Sequence, residues 1–210
     1  MKQVIPAILT DDFEDLKNKL KKIKNLADWV QIDIMDGIFV NNHSISLEDL
    51  KQAQTKSNLE AHLMVLSPEK YLSQAKMAKV KRVIFHFEAT KNILAILKKI
   101  AELGLKKGLA LNPETEIKEI KPYLDTIDLV LLLAVQPGFG GQKFNGSVIS
   151  KIKILKELAP EIKIEVDGGI NLANIEEVAQ AGADYLVVGS GLFKAADIKK
   201  RFKQLAQKII

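Results

Sequence analysis

Two hydrophobic periodicities alternate along the chain from end to end. Eight short runs rich in leucine and β-branched residues predict strands at residues 3–9, 29–34, 59–64, 82–86, 107–111, 129–135, 163–166 and 185–188. Between the runs, apolar residues spaced three, four and seven apart predict helices at residues 13–26, 47–56, 68–78, 92–103, 116–124, 148–158, 174–181 and 198–209. Strands and helices therefore follow one another in regular alternation.

This alternation indicates parallel strands, because each helix carries the chain back over the sheet in a right-handed crossover. The nearly continuous apolar run at residues 129–135 fits a strand that is covered on both faces. Eight strand-helix units in 210 residues predict one α/β domain over residues 1–210, a single (β/α)8 barrel near the lower size limit of that fold. A doubly wound open sheet is the structural alternative.

Composition narrows the class of protein further. The 47% content of hydrophobic residues is ample for a buried core, and the lack of cysteine excludes disulfides, thiolate metal ligands and a cysteine nucleophile. The N-terminus enters the first predicted strand without a signal-peptide stretch, and no apolar run is long enough to span a bilayer. We expect a soluble, cytoplasmic protein without a membrane partner.

The formal net charge of +5 raises the question of a nucleic-acid partner. Lysines alternate with acidic residues along the predicted helices, as at residues 12–22, and arginine occurs only at Arg82 and Arg201. This distribution is typical of solvated helix faces, and no aromatic platform accompanies it. We therefore expect no binding of nucleic acid.

Three side chains that can bind metals or move protons stand where predicted strands end. They are Asp33, His62 and Asp167. In a barrel, the loops that follow the strands form the active face, so these groups are expected to converge at one mouth. Two carboxylates and an imidazole there would suit a divalent metal ion and proton transfer across a substrate. The alternative for His62 is a hydrogen-bonded core histidine, and Asp36 is interpreted as a turn residue.

Glycine clusters follow the last three predicted strands. Glycine lets backbone N–H groups approach an anion closely, and barrels commonly bind phosphate with the loops after strands seven and eight. The clusters therefore predict a phosphate site, with tight turns as the alternative explanation. The residues concerned are Gly138, Phe139, Gly140 and Gly141, then Gly168 and Gly169, then Gly189 and Ser190.

An ordered set of motifs covers nearly the whole chain and resembles the ribulose-phosphate 3-epimerase family. Singly some of these motifs are weak, but their order along the chain is specific. The motifs are Pro6-Ala7-Ile8-Leu9, Asp33-Ile34-Met35-Asp36-Gly37, His62-Leu63-Met64, His86-Phe87-Glu88-Ala89, Leu111-Asn112-Pro113, Pro137-Gly138-Phe139-Gly140-Gly141-Gln142, Glu165-Val166-Asp167-Gly168-Gly169-Ile170 and Gly189-Ser190.

The resemblance implies a barrel of the ribulose-phosphate-binding type that interconverts D-ribulose 5-phosphate and D-xylulose 5-phosphate, in the pentose phosphate pathway, by inverting carbon three. It implies that Asp33 accepts a proton and Asp167 donates one, and that Met35 and Met64 cap the cavity. It also implies one divalent ion, commonly zinc, iron, manganese or cobalt, held by Asp33, His62, Asp167 and a fourth position that is histidine in the family and Gln31 here. Like relatives of the family, the chain is expected to form a homo-oligomer.

Several residues near the expected mouth depart from the family's pattern. They are Ala7, Gln31, Asn41, Leu133, Ala134 and Gln136. Gln31 either weakens metal binding and shifts it towards oxygen-favouring ions or only hydrogen-bonds the enediolate intermediate. Two alternative functions stay open: a ketohexose 6-phosphate 3-epimerase, acting for example on D-allulose 6-phosphate, and a sugar-phosphate-binding protein that has lost turnover.

Overall fold

The computed structural model describes residues 2–210, and its strands and helices alternate as the sequence predicts. The strands are β1 Gln3–Ile8, β2 Trp29–Met35, β3 Asn58–Met64, β4 Arg82–His86, β5 Lys106–Leu111, β6 Leu129–Leu133, β7 Lys163–Asp167 and β8 Tyr185–Val188. The α-helices are α1 Phe13–Lys22, α2 Leu47–Gln52, α3 Leu72–Met77, α4 Ile93–Glu102, α5 Val148–Leu158, α6 Ile175–Gln180, α7 Ser190–Phe193 and α8 Ile198–Gln207. Short 3-10 helices cover Pro68–Lys70, Phe87–Ala89 and Ile117–Thr126.

The eight strands form one closed barrel in sequence order, and each strand pairs in parallel with its neighbours. The predicted (β/α)8 barrel is thus confirmed, and the open-sheet alternative is wrong. Register places Asp33 of β2 beside His62 of β3, and Leu133 of β6 beside Asp167 of β7. These pairings bring the ends of β2, β3 and β7 to the same mouth.

Alternation along each strand separates an outer core from the barrel interior. On β2, Ile32 and Ile34 point outward into the large apolar core under the helices, whereas Met35 belongs to a small cluster with Met64 at the mouth. The same period of two puts Gln31 and Asp33 on the interior face with Met35. On β2, the interior positions therefore include the polar side chains of Gln31 and Asp33.

Four predicted helices differ from what forms. The helix at 47–56 ends at Gln52, because Ala53 is extended at φ −74° and ψ 137°. The other three differ as follows. The helix at 13–26 ends at Lys22, since Asn25 adopts a left-handed conformation at φ 62°. The helix at 68–78 divides into the 3-10 turn Pro68–Lys70 and α3. The helix at 116–124 is a 3-10 helix that contains Pro122, whose missing N–H disfavours the α-helical pattern.

None of the helices within residues 2–210 combines the length and the apolarity needed to cross a membrane.

Candidate active site

The three side chains predicted to converge do meet at the mouth of the barrel. His62 Nδ1 lies 3.1 Å from Asp33 Oδ1 and 3.8 Å from Asp167 Oδ2. All three potential ligand atoms lie within 4.8 Å of one another. Asp33 and His62 are buried, and Asp167 is partly exposed at the end of β7. One imidazole nitrogen and two carboxylate oxygens form a donor set that suits a divalent transition-metal ion.

Gln31 is the fourth member of this cluster. It lies two residues before Asp33 on β2, and its side chain faces the barrel interior as that of Asp33 does. Its Nε2 donates hydrogen bonds to Asp33 Oδ1 at 2.9 Å and to Asp167 Oδ2 at 2.7 Å. The same nitrogen is 3.4 Å from His62 Nδ1. Gln31 is fully buried, and its Oε1 has no hydrogen-bond partner among residues 2–210. The amide thus bridges the two carboxylates through its nitrogen.

The surroundings raise the pKa of both aspartates towards neutrality. Burial raises the pKa of Asp33 to about 7, and the hydrogen bond from Gln31 opposes this effect only in part. Burial, followed by the charge of Asp33, raises the pKa of Asp167 to about 6. Because the two carboxyl groups share one site, the pair can hold one proton near neutral pH.

A second histidine, His86, contacts the ring nitrogen of His62 that does not face the aspartates. His62 Nε2 is 3.0 Å from Nε2 of His86, so one proton lies between the two rings. On its other side, His86 Nδ1 is 3.4 Å from Glu88 Oε2, an electrostatic contact without good hydrogen-bond alignment. Burial alone would raise the pKa of Glu88, but contacts from His86, Thr115 and the backbone of Asn112 lower it, so Glu88 is ionised.

The Glu88 carboxylate therefore selects the tautomers of both rings. It favours a proton on Nδ1 of His86, which leaves Nε2 of His86 as an acceptor for the Nε2 proton of His62. The Nδ1 lone pair of His62 is then directed at the two aspartates. This arrangement is the one that a metal ligand needs.

A cavity of about 440 Å³ opens above these groups. Its lining contains every predicted site residue except the buried Gln31, namely Asp33, Met35, His62, Met64, Gly138, Phe139, Gly140, Gly141, Asp167, Gly168, Gly169, Gly189 and Ser190. The departures Ala7, Leu133 and Gln136 line it as well. The acid-base groups and the glycine loops thus face one common space.

Backbone geometry explains the glycines at the far side of the cavity. Gly138, Gly141, Gly168 and Gly169 have φ values of 116°, 79°, 111° and 68°, where a side chain is strained. A Cβ on Gly169 would also lie 2.6 Å from the backbone nitrogen of Phe144. Close packing thus excludes a side chain at Gly168 and Gly169, whereas at Gly138 and Gly141 the positive φ is the main reason for glycine.

Sequence reasoning missed two lysines that line the same cavity, Lys19 of α1 and Lys194 after α7. Lys19 is held by Asp15 at 2.6 Å and by the carbonyl of Leu9 at 3.2 Å. In the sequence neither lysine differs from the many surface lysines, so no local signal marks them. Their position adds positive charge beside the glycine loops. Asp36, in contrast, accepts backbone N–H groups of Ile38 and Phe39, as expected of a turn residue.

Comparison with known proteins gives a consistent result over the whole chain. Residues 3–193 match the family model described as the ribulose-phosphate 3 epimerase family. A ribulose-phosphate 3-epimerase from Bacillus subtilis is 39% identical over 98% of this chain and 98% of its own length. One from Aquifex aeolicus is 40% identical over 98% and 96%. Among solved structures, a 3-hexulose-6-phosphate synthase from Salmonella typhimurium has a TM-score of 0.78 at 14% identity, covering 99% of this chain and 98% of that one, which reflects a shared fold.

Proposed function

The chain belongs to the ribulose-phosphate 3-epimerase family and is an isomerase that acts on carbohydrates, and on this basis we propose that it interconverts D-ribulose 5-phosphate and D-xylulose 5-phosphate. One observation carries the proposal: Asp33 and Asp167 face a single cavity that the glycine loops also line. Inversion of a carbon centre needs one group that removes a proton and another that returns it. Simple binding of a sugar phosphate needs neither.

Asp33 is proposed to take the proton from carbon three, and Asp167 to return a proton to the opposite face. In the reverse direction the two roles exchange. General acid-base catalysis is most effective when the pKa of the catalytic group lies near the working pH. The pKa values of about 7 for Asp33 and about 6 for Asp167 meet this condition, and the pair shares a proton that either carboxyl can hold, as the two directions of the reaction require.

A divalent ion fits the donor set of Asp33, His62 and Asp167, which are the residues that would hold it. When bound, such an ion acts as a Lewis acid that stabilises negative charge developing on the substrate oxygens. The protein's own contribution is to hold the two carboxylates and the His62 lone pair towards one point. Contacts from Gln31 and from His86 fix that geometry.

The glycine loops are proposed to bind the phosphate of the substrate. Positive φ values turn backbone N–H groups of such loops outward as an anion-binding surface. The ammonium groups of Lys19 and Lys194 border the same surface and favour a dianion there. Anchoring one end of the substrate this way fixes carbon three relative to the carboxylates, which supplies the positioning that proton transfer requires.

The test is exchange of solvent deuterium into carbon three of ribulose 5-phosphate, followed by NMR with several divalent ions supplied in turn. We expect exchange and xylulose 5-phosphate formation in the native protein, and loss of both in Asp33→Asn and in Asp167→Asn. Asp125→Asn, an exposed site before β6 at the other end of the barrel, is the matched control and should behave as the native protein. Absence of exchange with every ion would support the binding-protein alternative, and faster turnover of a hexulose 6-phosphate would reassign the substrate.

A further inference from the structure

The side-chain amide of Gln31 lies in the space that a metal ion would need. Its Nε2 approaches Asp33 Oδ1 and Asp167 Oδ2 to 2.9 and 2.7 Å, and His62 Nδ1 to 3.4 Å. These are the same three atoms that form the candidate metal triad. An ion held by them would lie about 2.0–2.2 Å from each, in the space into which the amide N–H groups point. An ion and an inward-pointing NH2 group therefore exclude each other.

The orientation of the amide follows from the charges around it. Hydrogen bonds to ionised acceptors are stronger than neutral ones, and Nε2 bridges two carboxyl groups of which at least one is ionised. The orientation persists although it leaves Oε1 buried without a partner among residues 2–210. With the amide turned over, Oε1 would face oxygens of both carboxyl groups, which is repulsive unless a cation or a carboxyl proton lies between them.

We propose that Gln31 competes with a divalent ion for the triad, rather than serving as the fourth ligand. In the metal-free protein the amide bridges both carboxylates and keeps the triad assembled. An incoming ion must break both hydrogen bonds of Nε2, at least one of them charge-assisted, before it can bind, so its affinity is reduced. The inference deepens the proposed function, on which its meaning for catalysis rests, but it concerns affinity, which is measurable without turnover.

Removing the side chain separates the two roles by the sign of the effect. If Oε1 turned inward and ligated the ion, Gln31→Ala would delete a ligand and weaken binding. If the amide competes, Gln31→Ala deletes the competitor, opens space for water as the fourth ligand, and strengthens binding. The two roles therefore predict opposite changes in one dissociation constant.

The experiment measures the dissociation constants of Zn²⁺ and Mn²⁺ by isothermal titration calorimetry on chelator-treated protein without substrate. We expect Gln31→Ala to bind each ion at least about tenfold more tightly than the native protein, since the two hydrogen bonds of the amide to the carboxyl groups no longer oppose binding. Equal or weaker binding by Gln31→Ala overturns the proposal. Gln31→Asn, which keeps an amide too short to bridge the carboxylates, should also bind more tightly and replaces the alanine variant if that fails to fold.

Two controls assign the change to this site. Gln180→Ala removes an exposed glutamine side chain from α6 and should leave both constants unchanged. His62→Ala, combined with Gln31→Ala, should abolish the gain, because it removes a triad ligand. Persistence of the gain in that double variant would place the bound ion elsewhere and overturn the proposal.

A measurement on the native protein is independent of any substitution. The side-chain amide protons of Gln31 should be protected from solvent exchange in the metal-free protein and lose that protection when Zn²⁺ is added. Protection that is unchanged in the zinc-bound protein contradicts the displacement. Failure of deuterium exchange into the sugar phosphate, with this metal response intact, would instead reject the proposed reaction and leave the role of Gln31 standing.

Discussion

At the scale of single residues, the site holds two aspartates in positions that are costly for an ionised group. Asp33 is buried, accepts a hydrogen bond from Nε2 of Gln31 at 2.9 Å and lies 3.1 Å from Nδ1 of His62, and its pKa of about 7 lies well above its ordinary value of 3.8. A group whose pKa is raised on folding binds its proton more tightly in the folded state than in the unfolded state. Its contribution to stability is therefore complete below pH 4 and is lost as the pH rises towards 7.

This linkage predicts how stability depends on pH in the metal-free protein. From about pH 4 to pH 7, Asp33→Asn should gain stability relative to the native protein, by at most about 1.4 kcal/mol per pH unit. Urea unfolding in the presence of a chelator measures the two free energies at each pH. Asp125→Asn, on the exposed surface, should run parallel to the native protein. If the native protein instead gained stability relative to Asp33→Asn as the pH rises over this range, Asp33 would be ionised in the folded state.

A second prediction at this scale concerns the tautomer of His62. Glu88 Oε1 accepts the backbone N–H of Asn112 at 2.9 Å and the hydroxyl of Thr115, while Oε2 faces His86. In Glu88→Gln, the amide oxygen can keep those two contacts, so its NH2 group would face His86 Nδ1. His86 should then shift its proton to Nε2, and His62 should carry its own on Nδ1.

The ring nitrogens of both histidines report this reversal through their ¹⁵N chemical shifts. Metal affinity should fall in parallel, because Nδ1 of His62 loses its free lone pair. Glu157→Gln, on an exposed position of α5, is the matched control and should leave both readouts unchanged. An unaltered His62 spectrum in Glu88→Gln would mean that the carboxylate does not select the tautomer.

At the scale of elements, strands were predictable because each combines a short apolar run with a fixed place in the alternation. Helix ends were less predictable, since they depend on single backbone conformations such as that of Asn25 and on the proline inside Ile117–Thr126. The glycine loops were recognised by composition, yet their mutual contacts were not, because Gly169 and Phe144 lie on different loops. Sequence spacing carries no information on how two loops touch.

The contact between these loops leads to a prediction about the glycine-loop side of the cavity, which we propose binds the phosphate. Gly169→Ala places a Cβ 2.6 Å from the Phe144 nitrogen at a φ of 68°, so both loops must shift. We expect a loss of about 1–3 kcal/mol in stability and a higher KM for the sugar phosphate. Gly146→Ala is the matched control. The φ of Gly146 is not positive, and apart from its chain neighbours no atom of residues 2–210 lies within 4 Å of an added Cβ. An unchanged KM in Gly169→Ala would exclude this loop from phosphate binding.

At the scale of the whole molecule, the barrel interior is divided into layers with different chemistry. The layer at the mouth holds Asp33, His62 and Asp167. A second layer is apolar and contains Ile84 and Leu131. A third layer is charged and consists of Arg82 with Glu60 and Glu165. Strand order and the mouth residues followed from the sequence, since both are periodic features. The Arg82 cluster did not, because its members lie on three strands and look like surface charges in sequence. Self-association and a cytoplasmic location stay predictions.

Arg82 lies among two buried carboxylates and two aromatic rings. Its Nε donates to Glu60 Oε2 at 2.7 Å, and its Nη2 lies 3.1 Å from Glu165 Oε2. The guanidinium also stacks 4.5 Å from the ring centroid of Trp29 and 5.1 Å from that of Tyr185. Burial and the nearby Glu60 raise the pKa of Glu165 even with the arginine present. The single positive charge of Arg82 thus balances two buried acidic side chains.

Removing that cation should destabilise the whole barrel. Arg82→Met keeps much of the volume but leaves buried carboxylates without a counter-charge, a change that typically costs about 3–5 kcal/mol. Lys118→Met, which breaks the exposed pair with Glu116, should leave the free energy of unfolding nearly unchanged. Fluorescence of Trp29, the single tryptophan, reports unfolding in urea for both. Adding Glu60→Gln and Glu165→Gln to Arg82→Met should recover most of the lost stability, because no buried carboxylate is then left without a counter-charge. If the triple variant recovers none of it, Arg82 stabilises the barrel by packing against Trp29 and Tyr185 and not by its charge.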